Sequence, residues 1–348
     1  MKRVLFFCLL ILLFSSLSSS SLCARALVSG PVQPTLGPGG SQYAHEKINV
    51  WQSGISEEQY WVFEPDSPKP KKPGLVIFLH DWLASDPGYY MAWIRHLCRK
   101  GWVVLFPKYQ GSGELDKTWF FHVARSAKDF LMQNFKRKSL ELDREKFAII
   151  GHGAGAILAS NLAAADSYFG LPRIKALFLL MPHQKTLKLY DLSAISRDAK
   201  MIIVTGDRMH ERNEETAREI FYAADRIKTR NKIYVSVWSD FYGHPPLVAD
   251  ELAPFAPELP EFERLVVRYR YDFLKLAKDR FHAHTIRTSP VDAFDWFVSF
   301  RLFDALAQSA FSTQKPELNP LKDSAELRFM GYWSDGRKLK GLIGGDRP

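Results

Sequence analysis

The sequence predicts an α/β fold in which a mostly parallel sheet has helices on both faces. After residue 75, short apolar runs alternate with segments of helical periodicity, which is the pattern of parallel strands joined by right-handed crossovers. Within this alternation, residues 146–165 combine a buried strand, a turn with spaced glycines and a helix of small residues. Hydrophobic residues make up 46% of the 348-residue chain, which is enough for a large core and excludes a disordered protein.

Residues 1–26 have the pattern of a secretory signal peptide. A positive start at Lys2 and Arg3 precedes an apolar run over 4–14 that is too short to span a bilayer comfortably. The stretch 24–26 is a small-x-small cleavage site, so we expect cleavage after Ala26 and export to the periplasm or out of the cell. An uncleaved N-terminal anchor is the alternative.

Cysteine content indicates how the mature chain is stabilised, and charge limits the classes of partner that it can bind. Cleavage would leave Cys98 as the only cysteine, so the mature chain has no internal disulfide and depends on its core for stability. Loss of the leader would lower the formal net charge from +9 to +6. The basic residues are spread out and do not alternate with aromatics, so the sequence predicts no nucleic-acid partner. Weak attraction to a membrane or envelope surface remains open, and the sequence does not indicate an oligomeric state.

The predicted elements follow from the local patterns in chain order. Residues 27–42, which are rich in Gly and Pro, predict a disordered lead-in. Two strands, over 45–52 and 59–64, precede a fully apolar strand over 75–80 that we expect to be buried on both faces. The next elements are a helix over 88–100, a strand over 102–107, a helix over 117–135, strands over 147–150, 174–181 and 201–205, a helix over 214–227 and a strand over 232–238.

Two segments after the last of these strands extend the fold. Residues 254–288 predict a helical insertion with an apolar stripe that begins at Phe262 and Val266. This insertion is either a lid over the site or an extra packing helix. A final helix over 291–311 ends the domain, and residues 312–348 form a C-terminal extension in which Ser-Asp-Gly at 334–336 predicts a small hairpin.

The glycine-spaced turn is similar to the nucleophile elbow of α/β-hydrolases, whose pattern is G-x-S-x-G between a strand and a helix. Gly151 and Gly155 match the outer glycines, but Gly153 stands where that family has its serine. The stretch 79–80 resembles the family's His-Gly oxyanion turn, and 205–207 resembles the strand that carries its catalytic acid.

The family's histidine follows its last strand, as His244 does here between Gly243 and Pro245. The order of nucleophile position, acid and histidine is also the family order. The resemblance covers residues 43–311, most of the mature chain. It implies a single α/β-hydrolase domain.

The resemblance also implies site roles. His244 takes the base position and Asp207 the acid position, and the backbone N–H groups of Trp82 and Ala154 form the oxyanion hole. Gly153 leaves the nucleophile position vacant, because glycine has no side chain. Asp207 comes earlier after its strand than the family's acid, so helix capping is its alternative role, and His244 is alternatively a loop residue without a task.

Asp81 stands where the family usually has glycine. A carboxylate there would oppose a developing oxyanion, unless the side chain turns away to solvent. His80, His152 and His183 end other predicted strands at the same edge, where ligands bind in open α/β sheets. Their spacing is not that of a metal motif, so the sequence predicts a pocket edge without a metal or a cofactor.

The sequence therefore predicts an exported non-catalytic protein, a pseudoenzyme that binds a small acyl or aromatic compound, or a partner protein, in the former acyl pocket. One alternative is an active esterase- or lipase-like hydrolase with a displaced nucleophile, for which Ser85 and Ser112 are the serines near strand ends. Another alternative is an envelope scaffold without a ligand, whose pocket is filled by its own aromatic side chains.

Overall fold

The computed structural model of the protein describes residues 27–111, 117–137, 140–183, 187–258, 291–345 and 348. Its strands are β1 (Lys47–Ser53), β2 (Tyr60–Asp66), β3 (Gly74–Leu79), β4 (Trp102–Pro107), β5 (Phe147–His152), β6 (Ala176–Leu180), β7 (Lys200–Gly206), β8 (Lys232–Val237) and β9 (Leu342–Gly345). They form one sheet in the order β1-β2-β4-β3-β5-β6-β7-β8-β9. The predicted α/β class is confirmed.

The interior of the sheet is parallel and both its edges are antiparallel. Strands β4, β3, β5, β6, β7 and β8 run parallel to their neighbours. On one side β2 pairs antiparallel with β4 and with β1, and on the other side β9 pairs antiparallel with β8. The mostly parallel sheet is therefore confirmed, with β9 as a strand that the sequence did not predict.

The apolar strands fill two cores, one on each face of the sheet. Every residue of β3, β5 and β6 is buried. Successive side chains of a strand point to opposite faces. In β3, accordingly, Val76 and Phe78 join one core, whereas Leu75, Ile77 and Leu79 join the other. A continuous apolar run is what a strand covered on both faces requires.

Helices cover both faces. They are α1 (Met91–Arg99), α2 (Trp119–Arg137), α3 (Ala154–Ala164), α4 (Glu211–Ala223), α5 (Arg301–Phe311) and α6 (Ala325–Arg328), with a π-helical segment, Asp295–Phe300, leading into α5. Short 3₁₀ turns occupy Ser56–Glu58, Pro87–Tyr90, Leu192–Ala194 and Thr229–Asn231. Helices α1 and α5 belong to the core with Phe78, and α2, α3 and α4 belong to the core with Leu79. None of the helices in the described chain is both long and apolar enough to cross a membrane.

The element types agree with the sequence prediction, whereas several ends differ. The helix predicted over 88–100 begins as a 3₁₀ turn, whose first N–H group at Gly88 donates to the carboxylate of Asp86 at 2.8 Å. Helix α4 begins three residues before its predicted start and ends four residues before its predicted end. The predicted signal peptide, residues 259–288 of the predicted insertion and Ser112 all lie outside the described residues.

The two ends of the described chain are tied together. The N–H of Ser29 donates to the hydroxyl of Ser334 at 3.0 Å, and the N–H of Ser334 donates to the carbonyl of Ser29 at 2.9 Å. Further along, Gly39 donates its N–H to Asp304 of α5 at 2.8 Å. Residues 27–42 thus bind to the folded chain, in contrast to the disordered lead-in that their composition predicted. The turn at 334–336 joins a short hairpin, closed by a bridge between Tyr332 and Lys338.

Candidate functional site

The turn between β5 and α3 consists of one residue, Gly153, with φ +56° and ψ −118°. Residues with a side chain rarely adopt this conformation, which suits glycine. The flanking glycines allow close packing. A Cβ on Gly155 would lie 2.2 Å from the carbonyl oxygen of Leu79, and one on Gly151 would lie 2.5 Å from that of Gly155. The three glycines therefore bring the first turn of α3 against the end of β3.

The carboxylate of Asp81 fills the space above Gly153. Asp81 follows β3 directly and is only 4% exposed. Its Oδ1 accepts a hydrogen bond from the backbone N–H of Ala154 at 2.9 Å. A Cβ built on Gly153 would lie 1.9 Å from this same oxygen. Of the two orientations open to Asp81 from the sequence, the side chain adopts the one that points into the site.

His183 completes an ion pair with Asp81. Its Nε2 lies 3.3 Å from Oδ2 of Asp81, and its Nδ1 donates to the carbonyl of Met181 at 2.9 Å. Burial favours the neutral forms of both groups, but the attraction between their charges and the hydrogen bond between them outweigh the effect of burial. The pKa of His183 is raised to about 9 and that of Asp81 is lowered to about 2. Both groups are therefore charged at neutral pH.

His152 has a structural role at the end of β5. The hydroxyl of Tyr90 accepts the N–H of Asp81 at 3.0 Å and donates its own proton to Nδ1 of His152 at 2.8 Å. Nε2 of His152 then carries the proton and donates to the carbonyl of Glu251 at 2.7 Å. Burial lowers the pKa of His152 to about 4, which agrees with a neutral ring. The ring thus links β5 to the 251–258 segment.

His80 is fully buried behind the site. Its ring stacks on Tyr109 with centroids 4.1 Å apart, and the Tyr109 hydroxyl donates to the His80 carbonyl at 2.5 Å. The two ring nitrogens face the carbonyl oxygens of Asp81 and Lys108, at 2.6 and 2.8 Å. Burial lowers the pKa of His80 to about 4, and the two backbone acceptors oppose this shift. This histidine therefore holds the loop after β3 in place.

The predicted oxyanion hole is not open. The N–H of Ala154, one of its two predicted donors, is bonded to Asp81. Trp82, the other, has a side chain that is 46% exposed, and its N–H donates to no described residue. The neighbouring Leu83 has φ +62° and donates its N–H to Oε1 of Gln110 at 2.8 Å. The loop after β3 is therefore fixed in a shape that directs the Asp81 carboxylate inward.

Asp207 braces the loop after β8. Its Oδ1 accepts the N–H of Ser239 at 2.9 Å and the hydroxyl of Ser239 at 2.6 Å. The Ser239 oxygen in turn accepts the N–H of Ala249 at 2.9 Å. These contacts occupy one oxygen of the carboxylate that the resemblance assigned to the acid position, and they are neither a helix cap nor a bond to a histidine.

His244 lies in the same loop with an exposed side chain. Its backbone N–H donates to the carbonyl of Val28 at 2.7 Å, and its peptide bond to Pro245 is cis. Among the described residues, no hydrogen bond or ion pair joins its ring to Asp207 or to Asp81. The structure thus places the predicted base and acid in one loop region without a contact between them.

Several residues of the site have no signal in the sequence. Tyr90, Glu251 and Ser239 each contact a predicted site residue across a long chain separation. Only the proximity of Ser239 to the end of β8 would have indicated one of these contacts.

The described residues contain no group of three or more His, Cys, Asp or Glu side chains arranged to hold a metal ion. A cavity of about 1020 Å³ lies at the opposite edge of the sheet, beside Phe147, Gly170 and Pro172. No protein-family model matches the chain, and no curated protein sequence matches it.

Proposed function

We propose that the protein is a non-catalytic member of the α/β-hydrolase fold, a pseudoenzyme that acts by binding. The antiparallel pair β1–β2 ahead of the parallel strands and the one-residue turn at Gly153 support this fold. The order of the candidate acid and histidine positions supports it as well, with Asp207 after β7 and His244 after β8.

One observation carries the proposal: the Asp81 carboxylate accepts the N–H of Ala154 directly above Gly153. Acyl transfer needs a nucleophile at the turn and unoccupied N–H donors for the oxyanion. Here the first is missing and a donor already holds a negative charge. A second negative charge at the same N–H would be repelled within a buried environment, where charges interact strongly. The site therefore lacks the nucleophile, and one of its two predicted oxyanion donors is already occupied.

We propose that the ligand is a small acyl or aromatic compound, or a partner protein, that binds at the carboxyl edge of the strands. The ring of Trp82 is 46% exposed beside Asp81 in the chain, and it offers an aromatic face to such a ligand. The ion pair beneath would form a closed floor. A thermal-shift screen against acyl and aromatic compounds tests this binding, because a ligand of the folded state raises the melting temperature.

The absence of catalysis is tested with the chain from residue 27 onward. We expect no hydrolysis of p-nitrophenyl acetate, butyrate or octanoate above that of the His244→Ala variant, and no covalent adduct with a fluorophosphonate probe. Mass spectrometry after proteolysis would locate any adduct. Turnover that His244→Ala abolishes, or an adduct on Ser85 or Ser112, would instead support the displaced-nucleophile alternative.

The envelope scaffold is a second alternative, since the scaffold hypothesis and the binding-protein hypothesis both require an inactive site. The two differ in the thermal-shift screen. A binding protein has at least one compound that raises its melting temperature in a dose-dependent way, and replacement of Trp82 by Ala lowers the response. A scaffold responds to none of the compounds.

A further inference from the structure

A second surface lies at the β8–β9 end of the sheet, apart from Asp81 and His183. It is built from Arg208 after β7, the loop after β8 and the C-terminal hairpin, and we name it the aromatic–cation surface. Its residues are three exposed rings and three exposed cations: Phe241, Tyr242, Tyr332, Arg208, Arg337 and Lys338. The rings are 54%, 43% and 54% exposed, respectively. Large rings exposed together at this level are typical of interaction sites.

The rings and cations are paired. The guanidinium carbon of Arg337 lies 4.0 Å from the centre of the Tyr242 ring, and that of Arg208 lies 5.0 Å from the centre of the Phe241 ring. The backbone of Lys338 forms a β-bridge with that of Tyr332, and the Lys338 ammonium lies 5.8 Å from the centre of the Phe329 ring. Phe241 and Tyr242 are consecutive in the chain, and the Tyr242 ring lies edge-on to Trp333 of the hairpin, with ring centroids 6.2 Å apart.

A buried framework holds this surface. Asp240 is buried, with 4% of the residue exposed. Its carboxylate accepts the indole N–H of Trp333 at 3.1 Å and the backbone N–H of Lys340 at 3.0 Å. The hydroxyl of Tyr242 donates to Asp335 at 2.5 Å, which joins loop to hairpin a second time. A surface that is already ordered loses little conformational entropy when it binds.

The charges favour an acidic partner. Arg208, Arg337, Lys338 and Lys340 are exposed, and the carboxylates beside them are Asp207, Asp335 and the buried Asp240. All three carboxylates already accept hydrogen bonds. The four cations outnumber the three carboxylates, and guanidinium groups bind carboxylates in a bidentate manner.

We propose that the aromatic–cation surface binds an acidic polypeptide segment of a partner protein. Tyr, Trp and Arg are the residues enriched at the energetic centres of protein interfaces. An acidic polysaccharide fits less well, because sugar rings stack on open aromatic faces and here Arg337 and Arg208 cover faces of Tyr242 and Phe241.

The test uses random copolymers as probes, with the full chain from residue 27. Binding of poly(Glu,Tyr), poly-Glu and polygalacturonate is measured by microscale thermophoresis at 50 and 300 mM NaCl. We expect poly(Glu,Tyr) to bind most tightly. Arg208→Gln/Arg337→Gln/Lys338→Gln should weaken it about tenfold, which corresponds to about half a kcal/mol per exposed charge. Phe241→Ala should remove the preference for the copolymer over poly-Glu.

A control removes the same charge from other exposed sites, with Lys47→Gln/Lys69→Gln/Lys71→Gln. It should change the affinity less than twofold, and thermal melts of both triple variants verify that they fold. An equal loss in the control would overturn the proposal, because the binding would then reflect net charge alone. Tighter binding of polygalacturonate, or no binding of the peptide probes at 50 mM NaCl, would overturn it too.

Discussion

At the scale of single residues, the site depends on the relation between Asp81 and Gly153. Glycine at 153 permits a positive φ and leaves room, and the carboxylate of Asp81 uses that room. The two residues are therefore coupled, so that a side chain at 153 requires a change at 81. A serine introduced at 153 alone would therefore collide with Asp81.

Gly153→Ser should destabilise the protein by roughly 3–5 kcal/mol, because it combines a strained φ with displacement of a buried, hydrogen-bonded carboxylate. Asp81→Gly in the same chain removes the collision. The double variant should lose less unfolding free energy than the two single variants lose in total, by at least about 1 kcal/mol. Urea unfolding of the four proteins measures this coupling.

The matched control is Gly170→Ser. Gly170 also has a positive φ, of +67°, but a Cβ there would meet nothing within 4 Å. This variant should lower the free energy of unfolding by about 1 kcal/mol, because it introduces backbone strain but no collision. Equal costs at 153 and 170, together with additive effects at 153 and 81, would show that Asp81 does not occupy the space above Gly153.

At the scale of elements, the π-helical segment before α5 carries a buried acid. Asp295 is 1% exposed, and its Oδ1 has no hydrogen-bond partner among the described residues. Its Oδ2 accepts the N–H of Asp292 at 2.9 Å. Burial raises the pKa of Asp295 well above its ordinary value and that of Asp292 to about 6. The segment therefore favours protonated carboxyl groups.

Asp295→Asn should stabilise the protein increasingly as the pH rises. An acid whose pKa is raised by folding binds its proton more tightly in the folded state, so stability falls as the pH rises above the unfolded pKa. Asparagine has no such titration. The difference in unfolding free energy between variant and wild type should widen above pH 4, by up to about 1.4 kcal/mol per pH unit.

Denaturant unfolding at pH 4, 5, 6 and 7 measures this difference. Asp225→Asn, which removes an exposed carboxylate, is the control for the loss of one negative charge. A constant difference for Asp295→Asn across this pH range would mean that the Asp295 carboxyl is not held in its protonated form.

At the scale of the whole molecule, the sequence could predict what local patterns determine. Continuous apolar runs indicated the parallel strands, and glycine spacing indicated the sharp turn between β5 and α3. Strand β9 was missed because Leu-Ile-Gly-Gly offers no strand pattern; it exists through pairing with β8.

The candidate site was predicted only in part for a related physical reason. The carboxyl ends of the strands bring Asp81, His183 and Gly153 to one edge, as expected from their places in the chain. Whether Asp81 turns inward depends on a bond to Ala154, 73 residues away. Likewise the bonds of Asp207 to Ser239 and of His244 to Val28 depend on loop packing, which local composition does not encode.

The central claim is that Asp81 fills the space above Gly153 and forms an ion pair with His183. The raised pKa of His183 should contribute stability that is fully present below pH 6.5 and is lost as the pH rises through about 9. The lowered pKa of Asp81 should contribute stability that is fully present above pH 3.8 and is lost as the pH falls through about 2. Both groups are therefore charged in the folded protein throughout the physiological range.

An NMR titration of the imidazole of His183, assigned with His183→Gln, tests this claim most directly. We predict a pKa of about 9 in the wild type. In Asp81→Asn the pKa should fall below 6.5, because burial then acts on the imidazole without a charged partner. A wild-type value near 6.5 that Asp81→Asn leaves unchanged would contradict the ion pair.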